Sequence, residues 1–177
     1  MPTVFSHPAP VLALAALFGG RVSTRMLLFG ILCAILPDAD VIGFKFGISY
    51  ADAFGHRGFS HSLAFALLMG SVGFGMAPFL RGSRFIGFLV GFLAVSSHIL
   101  LDAMTNGGLG VAAFWPFDQT RYFCGWRPIQ VSPFGFKAIL SQRGLAVMLS
   151  ELRWVWGPCL AVTAIALFLR KRAHARH

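Results

Sequence analysis

Pro37-Asp38-Ala39-Asp40 sets two carboxylates close together, and His56-Arg57-Gly58-Phe59-Ser60-His61-Ser62 follows with two imidazoles. Farther on, His98-Ile-Leu-Leu-Asp102 has a spacing that, on a helix, puts both polar side chains on one face about one turn apart, where they can point at one ion. His7, directly before Pro8, is the seventh candidate. Imidazole and carboxylate without thiolate suit zinc, manganese or iron, whereas calcium or magnesium would take more oxygens. Seven candidates exceed the needs of one tetrahedral ion. The expectation is therefore one or two divalent ions, zinc foremost, with carboxylates bridging or with some members orienting the ligating imidazoles. Such an ion acidifies a bound water, and hydrolysis is the natural chemistry.

The catalytic candidates are Asp38, Asp40 and Arg57. One aspartate is expected to ligate while the other bridges, orients a histidine or serves as general base; the sequence leaves open which. Arg57 offers a planar fork to a substrate phosphate, or pairs with Asp38, Asp40 or Asp52. Thr105 and Asn106 either bond a ligand or cap the helix that ends at Gly107-Gly108.

These polar residues sit in a chain that is mostly apolar. Of 177 residues only 6 are acidic, 56% are hydrophobic and 19 are Phe, and the mean hydropathy is +0.73. That exceeds what one soluble core of this size can hide, so the bilayer is the expected solvent. The fold class expected is an all-α integral membrane protein, a bundle of four to five transmembrane helices with the metal-binding cluster at its outer face. Phe59 to Leu80 and Phe85 to Met104 supply the about 20 apolar residues that a span needs. Trp154 to Leu169 suffices if the helix begins near Leu152, whereas His7 to Gly20 and Thr24 to Leu36 are short, as tilted or partly buried spans are. Pro37 is expected to end the second run and Ser60 to cap the third.

With five crossings the bases sort by side. Arg21, Arg25, Arg81, Arg84 and the tail with Arg170, Lys171, Arg172 and Arg176 share one face without an acid, which the positive-inside rule makes cytoplasmic. The candidate ligands then meet on the opposite, non-cytoplasmic face of the membrane. Bases scattered between apolar runs give no nucleic-acid footprint; the expected partners are the lipid bilayer and a phospholipid or other ester substrate. Cys33, Cys124 and Cys159 lack the Cys-x-x-Cys spacing of a thiolate site. No Lys or Arg precedes the first apolar run, so it reads as a retained segment with its N-terminus outside, not a cleaved signal. His174 and His177, in the basic tail, fall on the wrong face. No repeat or linker divides the chain, and 1–177 reads as one helical membrane domain. Its motif-bearing part is 1–117, an aromatic and basic interfacial segment 105–150, a last span 152–169 and a cytoplasmic tail 170–177. Gly87-x-x-x-Gly91, with Gly70, Gly73 and Gly75 on the preceding span, lets backbones approach. Lys137 to Leu149 fits a helix lying on the membrane. Trp115, Phe117, Tyr122 and Trp126 form an aromatic belt or a lipid-facing entrance.

Ser6-His7, "LPDAD" (Leu36 to Asp40), "HRGFSHS" (His56 to Ser62), "SHILLDAMTNGG" (Ser97 to Gly108) and "WPF" (Trp115 to Phe117) together resemble the YdjM-like family, described as membrane-bound metal-dependent hydrolases. The resemblance covers roughly Met1 to Phe117. It implies a helical, multi-pass protein of a bacterial-type inner membrane with His and Asp ligands in these motifs. More distantly the set resembles the trinuclear zinc site of bacterial phospholipase C and related single-strand nucleases. It departs from them in lacking a second His-x-x-x-Glu or Asp pair and an evident N-terminal amine ligand, so one or two ions remain the expectation. Two other functions fit such residues: an ion or proton transporter using His and Asp as a relay, and a non-catalytic membrane protein with a structural metal.

Overall fold

The computed structural model describes residues 1–132 and 141–175, and no strand occurs among them. The helices are α1 (Pro8–Phe18), α2 (Thr24–Ile35), α3 (Leu63–Gly75), α4 (Arg84–Ala103), α5 (Gln142–Glu151) and α6 (Gly157–His174). Four of the starts are set by the same device. Ser23, Ser62, Ser83 and Ser141 each accept a hydrogen bond from the backbone N–H three residues on, at 3.1 to 3.2 Å, which satisfies one of the donors that every helix start leaves over. The cap of α3 is thus Ser62, two residues later than the sequence suggested, and this releases Ser60 for other work.

Pro37 does not end the second run. α2 tightens instead into a 3₁₀ helix, Leu36–Phe46, with Pro37 in its first turn, where a missing N–H costs nothing. The combined stretch Thr24–Phe46 is long and apolar enough to cross a membrane, as are Arg84–Ala103 and Gln142–Ala173; Pro8–Arg21 and Leu63–Gly75 are shorter apolar helices. The last of the long stretches joins α5 to α6 through a π turn, Leu152–Trp156. Pro158 follows that turn and has no N–H for the helical ladder. Residues 137–140 of the expected interfacial helix, and Arg176 and His177, lie outside the described residues.

α4 is the pillar. It packs along α3 more extensively than any other pair of elements does, and it also touches α1 and α2. Of its span 56% is buried, against 11% for the last one, which therefore runs along the periphery. α1 lies between α2 and α6. Val11, Cys33, Ala34, Phe65, Ala94, Val95 and Ile99 form the main core where α1 to α4 meet. Leu28, Leu67, Phe85 and Leu160 point outward, an arrangement that water would penalise and lipid does not.

The close fit of α3 against α4 rests on glycines. A Cβ on Gly73 would meet the backbone of Gly87, one on Gly87 would meet that of Gly73, and one on Gly91 would meet Met69; Gly75 faces open space. Gly87→Val should lower stability by about 1–3 kcal/mol through overpacking, whereas Gly75→Ala should be neutral or slightly stabilising. Thermal unfolding in detergent measures both, and equal effects would contradict the packing described.

Candidate metal centre

Three segments bring the polar residues together at one end of the bundle. The 3₁₀ helix carries Asp38 and Asp40, the loop and single 3₁₀ turn before α3 (Phe59–His61) carry His56, Arg57 and His61, and the last turns of α4 carry His98 and Asp102. His7 arrives from the residue preceding α1. His7, His61, His98 and Asp102 are fully buried, and Asp38 and His56 nearly so.

His98 is oriented by a backbone carbonyl. In a 3₁₀ turn the Ala34 carbonyl would look to residue 37, and Pro37 has no N–H to give. That carbonyl instead accepts from His98 Nδ1 at 2.7 Å. The tautomer follows: Nδ1 carries the hydrogen, and Nε2 presents a lone pair. His61 is oriented in the same sense, because its Nδ1 lies 3.2 Å from Asp40 Oδ2. The two Nε2 atoms then face each other at 3.0 Å.

Around that point lie two carboxylates. Asp38 Oδ1 is 3.6 Å from His61 Nε2 and 3.5 Å from His98 Nε2; Asp102 Oδ2 is 3.3 Å and 4.0 Å from the same atoms. Mostly too long for hydrogen bonds, these separations resemble the edge of a tetrahedron with 2.0–2.1 Å metal bonds, which is about 3.3 Å. Among the described residues no hydrogen bond reaches either oxygen of Asp38 or Asp102, or either nitrogen of His7. Buried acceptors without donors are costly, and a cation placed among them would satisfy them together. His61, His98, Asp38 and Asp102 could hold one metal ion.

Asp40 is engaged otherwise. Its Oδ1 lies 2.6 Å from His56 Nδ1, and its Oδ2 accepts from the Arg57 backbone N–H at 3.1 Å and from Ser60 Oγ at 2.6 Å. This is the hydroxyl that the later start of α3 set free. Asp40, His56 and His61 also form a possible ligand trio. His61 lies in the turn before α3, ahead of the apolar helix Leu63–Gly75, and burial alone would lower its pKa. Contacts with Asp102, Asp38 and Asp40 outweigh that and hold it up at about 10.

Arg57 is fully buried. Its Nε lies 3.0 Å from Asp102 Oδ2, while Nη1 donates to the Gly107 carbonyl and Nη2 to Thr105 Oγ1, each at 3.1 Å. The ion pair is with Asp102, not with Asp38, Asp40 or Asp52. Thr105 thus receives Arg57, and its own hydroxyl donates to the Asp102 carbonyl at 2.7 Å. Arg57 has a φ of +64°, a strained backbone for a non-glycine residue. A carbonyl bonded by Ala112 N–H at 3.0 Å and an N–H given to Asp40 hold it there. Asn106 lies farther out, its side chain accepting from Val131 N–H. A cavity of about 330 Å³ opens beside the cluster, lined by Tyr50, His56, Gly108 and Arg143 among others.

Two supporting residues were not found from the sequence. Arg121 donates to the carbonyls of His56, Tyr50 and Asp52 at 2.8 to 3.1 Å, pinning the loop that carries the histidines. Glu151, at the end of α5, accepts from the Thr3 backbone N–H, from Thr3 Oγ1 at 2.6 Å and from Ser6 Oγ at 2.7 Å. The signal for Glu151 was its isolation, a single carboxylate just before the last apolar span.

Comparison with known proteins agrees with the architecture. The family model of the YdjM inner membrane protein matches residues 1–175. Inner membrane protein YbcI of Escherichia coli (strain K12) is 42% identical over 178 residues, covering 97% of this chain and 100% of that protein. No solved structure matches. The chain belongs to the YdjM family of multi-pass inner membrane proteins.

Proposed function

We propose that this protein is a membrane-bound metal-dependent hydrolase acting on a phosphodiester or ester, such as a phospholipid, from the non-cytoplasmic side. One observation carries the reading: Nε2 of His61 and of His98 and oxygens of Asp38 and Asp102 converge, buried and without donors of their own. In this reading Asp38, His61, His98 and Asp102 are ligands, and zinc suits them best, with manganese or iron as alternatives. When bound, such an ion polarises an ester or phosphoryl oxygen and acidifies a water.

The chain's own residues do the rest. Asp40 and the Ala34 carbonyl orient the His61 and His98 rings so that both Nε2 atoms aim inward. Arg57 holds Asp102 in place, and its guanidinium offsets the buried negative charge. The cavity beside His56, with Arg143 in its wall, suits an anionic headgroup. A transporter would need ionisable groups through the depth of the bilayer. Within α1 to α4 they lie at the helix ends, with His98 and Asp102 at one end and Arg25 and Arg84 at the other.

Detergent-purified protein should contain a transition metal at whole-number stoichiometry, and the His98→Ala, Asp102→Ala double variant should lose both the metal and the chelator-sensitive hydrolysis of a phosphodiester. Metal-free wild type, or a double variant that keeps its metal, would sink the proposal. Asp40→Asn should weaken metal binding about 10–100-fold, the usual effect of removing a carboxylate that orients a ligating histidine; an unchanged affinity would remove Asp40 from that role. Proton and metal compete for His61 Nε2, so below the raised pKa of about 10 the affinity should fall as pH falls. Calorimetry in buffers of different ionisation enthalpy should show proton release on metal binding, and its absence would place the ion elsewhere.

A further inference from the structure

His7 lies across the same two carboxylates from His61 and His98. Its Nε2 is 3.6 Å from Asp38 Oδ2 and 3.8 Å from Asp102 Oδ1. The other oxygen of each carboxylate, Asp38 Oδ1 and Asp102 Oδ2, faces His61 and His98. Each aspartate therefore turns one oxygen to one side and one to the other. His7 is fully buried, and among the described residues neither of its nitrogens has a hydrogen-bond partner. Its ring stacks on that of His98 with centroids 3.7 Å apart and planes 19° from parallel. Near-parallel rings at that distance are in stacking contact, which fixes His7 against the ligating imidazole of the proposed first site.

We propose a second metal position, held by His7 Nε2, Asp38 Oδ2 and Asp102 Oδ1, with Asp38 and Asp102 bridging it to the ion at His61 and His98. This rests on the metal-dependent reading above and divides the labour within it. The His61 and His98 ion would draw on four protein side chains and the His7 ion on three, which would leave the latter more room for water or an ester oxygen. Two divalent ions set against the carboxylates of Asp38, Asp40 and Asp102 and the guanidinium of Arg57 leave the centre with excess positive charge, which an anionic phosphate ester complements. The elements holding His7 are consistent with a fixed ligand. Ser6 Oγ donates to Glu151 at 2.7 Å and accepts from Trp156 Nε1 at 3.1 Å, so the last helices anchor the residue next to it.

The test is metal counting and electron paramagnetic resonance on the full chain in detergent, loaded with manganese. Wild type should bind two ions per chain and give the broadened spectrum of an exchange-coupled pair. His7→Phe, which keeps a ring against His98 but removes both nitrogens, should bind one ion, give an uncoupled six-line signal and lose hydrolysis. One ion in the wild type, or two uncoupled ions, would overturn the second position while leaving a one-ion site standing. No ion at all would overturn the hydrolase reading and this inference with it. The wild-type measurement decides between these outcomes even if the variant fails to fold.

Discussion

Two buried carboxylates that accept no hydrogen bond from any described residue organise this molecule. Placing Asp38 and Asp102 side by side away from water is unfavourable in any solvent that folds a protein, and one guanidinium, that of Arg57, offsets only part of it. What surrounds them is arranged to tolerate that cost: three buried imidazoles, a strained arginine, and the carbonyls of Ala34 and Gly107, which accept N–H groups of His98 and Arg57. The side chains with the highest solvation demand are the ones given least solvation, in an arrangement that could hold a cation.

The scaffold serves this arrangement from both ends of α4. At one end the glycines let α3 lie against it closely; at the other, His98 and Asp102 are presented one turn apart. Because α4 also touches α1 and α2, the elements that carry His7, Asp38 and His61 are all referenced to one rigid helix. Sites held on such elements are positioned more accurately than sites on loops. The loop bearing His56 and Arg57 gains comparable rigidity from Arg121, which ties three of its carbonyls.

Much of the fold and of the cluster was legible in the chain. Apolar runs marked the spans, and the His98 to Asp102 spacing is geometric once a helix is granted. What escaped was decided by tertiary competition. Ser60 and Ser62 are equally good caps locally, and only the pull of Asp40 on Ser60 selects between them. Pro37 looked like a stop because its missing N–H was considered from the α-helical side alone; in a tighter turn it frees a carbonyl that a histidine needs. Arg57 had several nearby acids to choose from, and its partner proved to be 45 residues away in sequence. The distinct surroundings of Asp38 and Asp40 could not be read locally, since both emerge from one short motif.

The bonds from Glu151 to Thr3 and Ser6 join the first residues of the chain to its last apolar stretch. They close the bundle as a clasp closes a strap, with α1 lying beside α6. The recognisable motifs end near Phe117, yet the seating of His7 depends on a carboxylate and an indole that the ribosome makes more than 30 residues later. The cup that the earlier motifs form is therefore completed from both ends of the chain, the last apolar stretch supplying the groups that seat the residue beside His7.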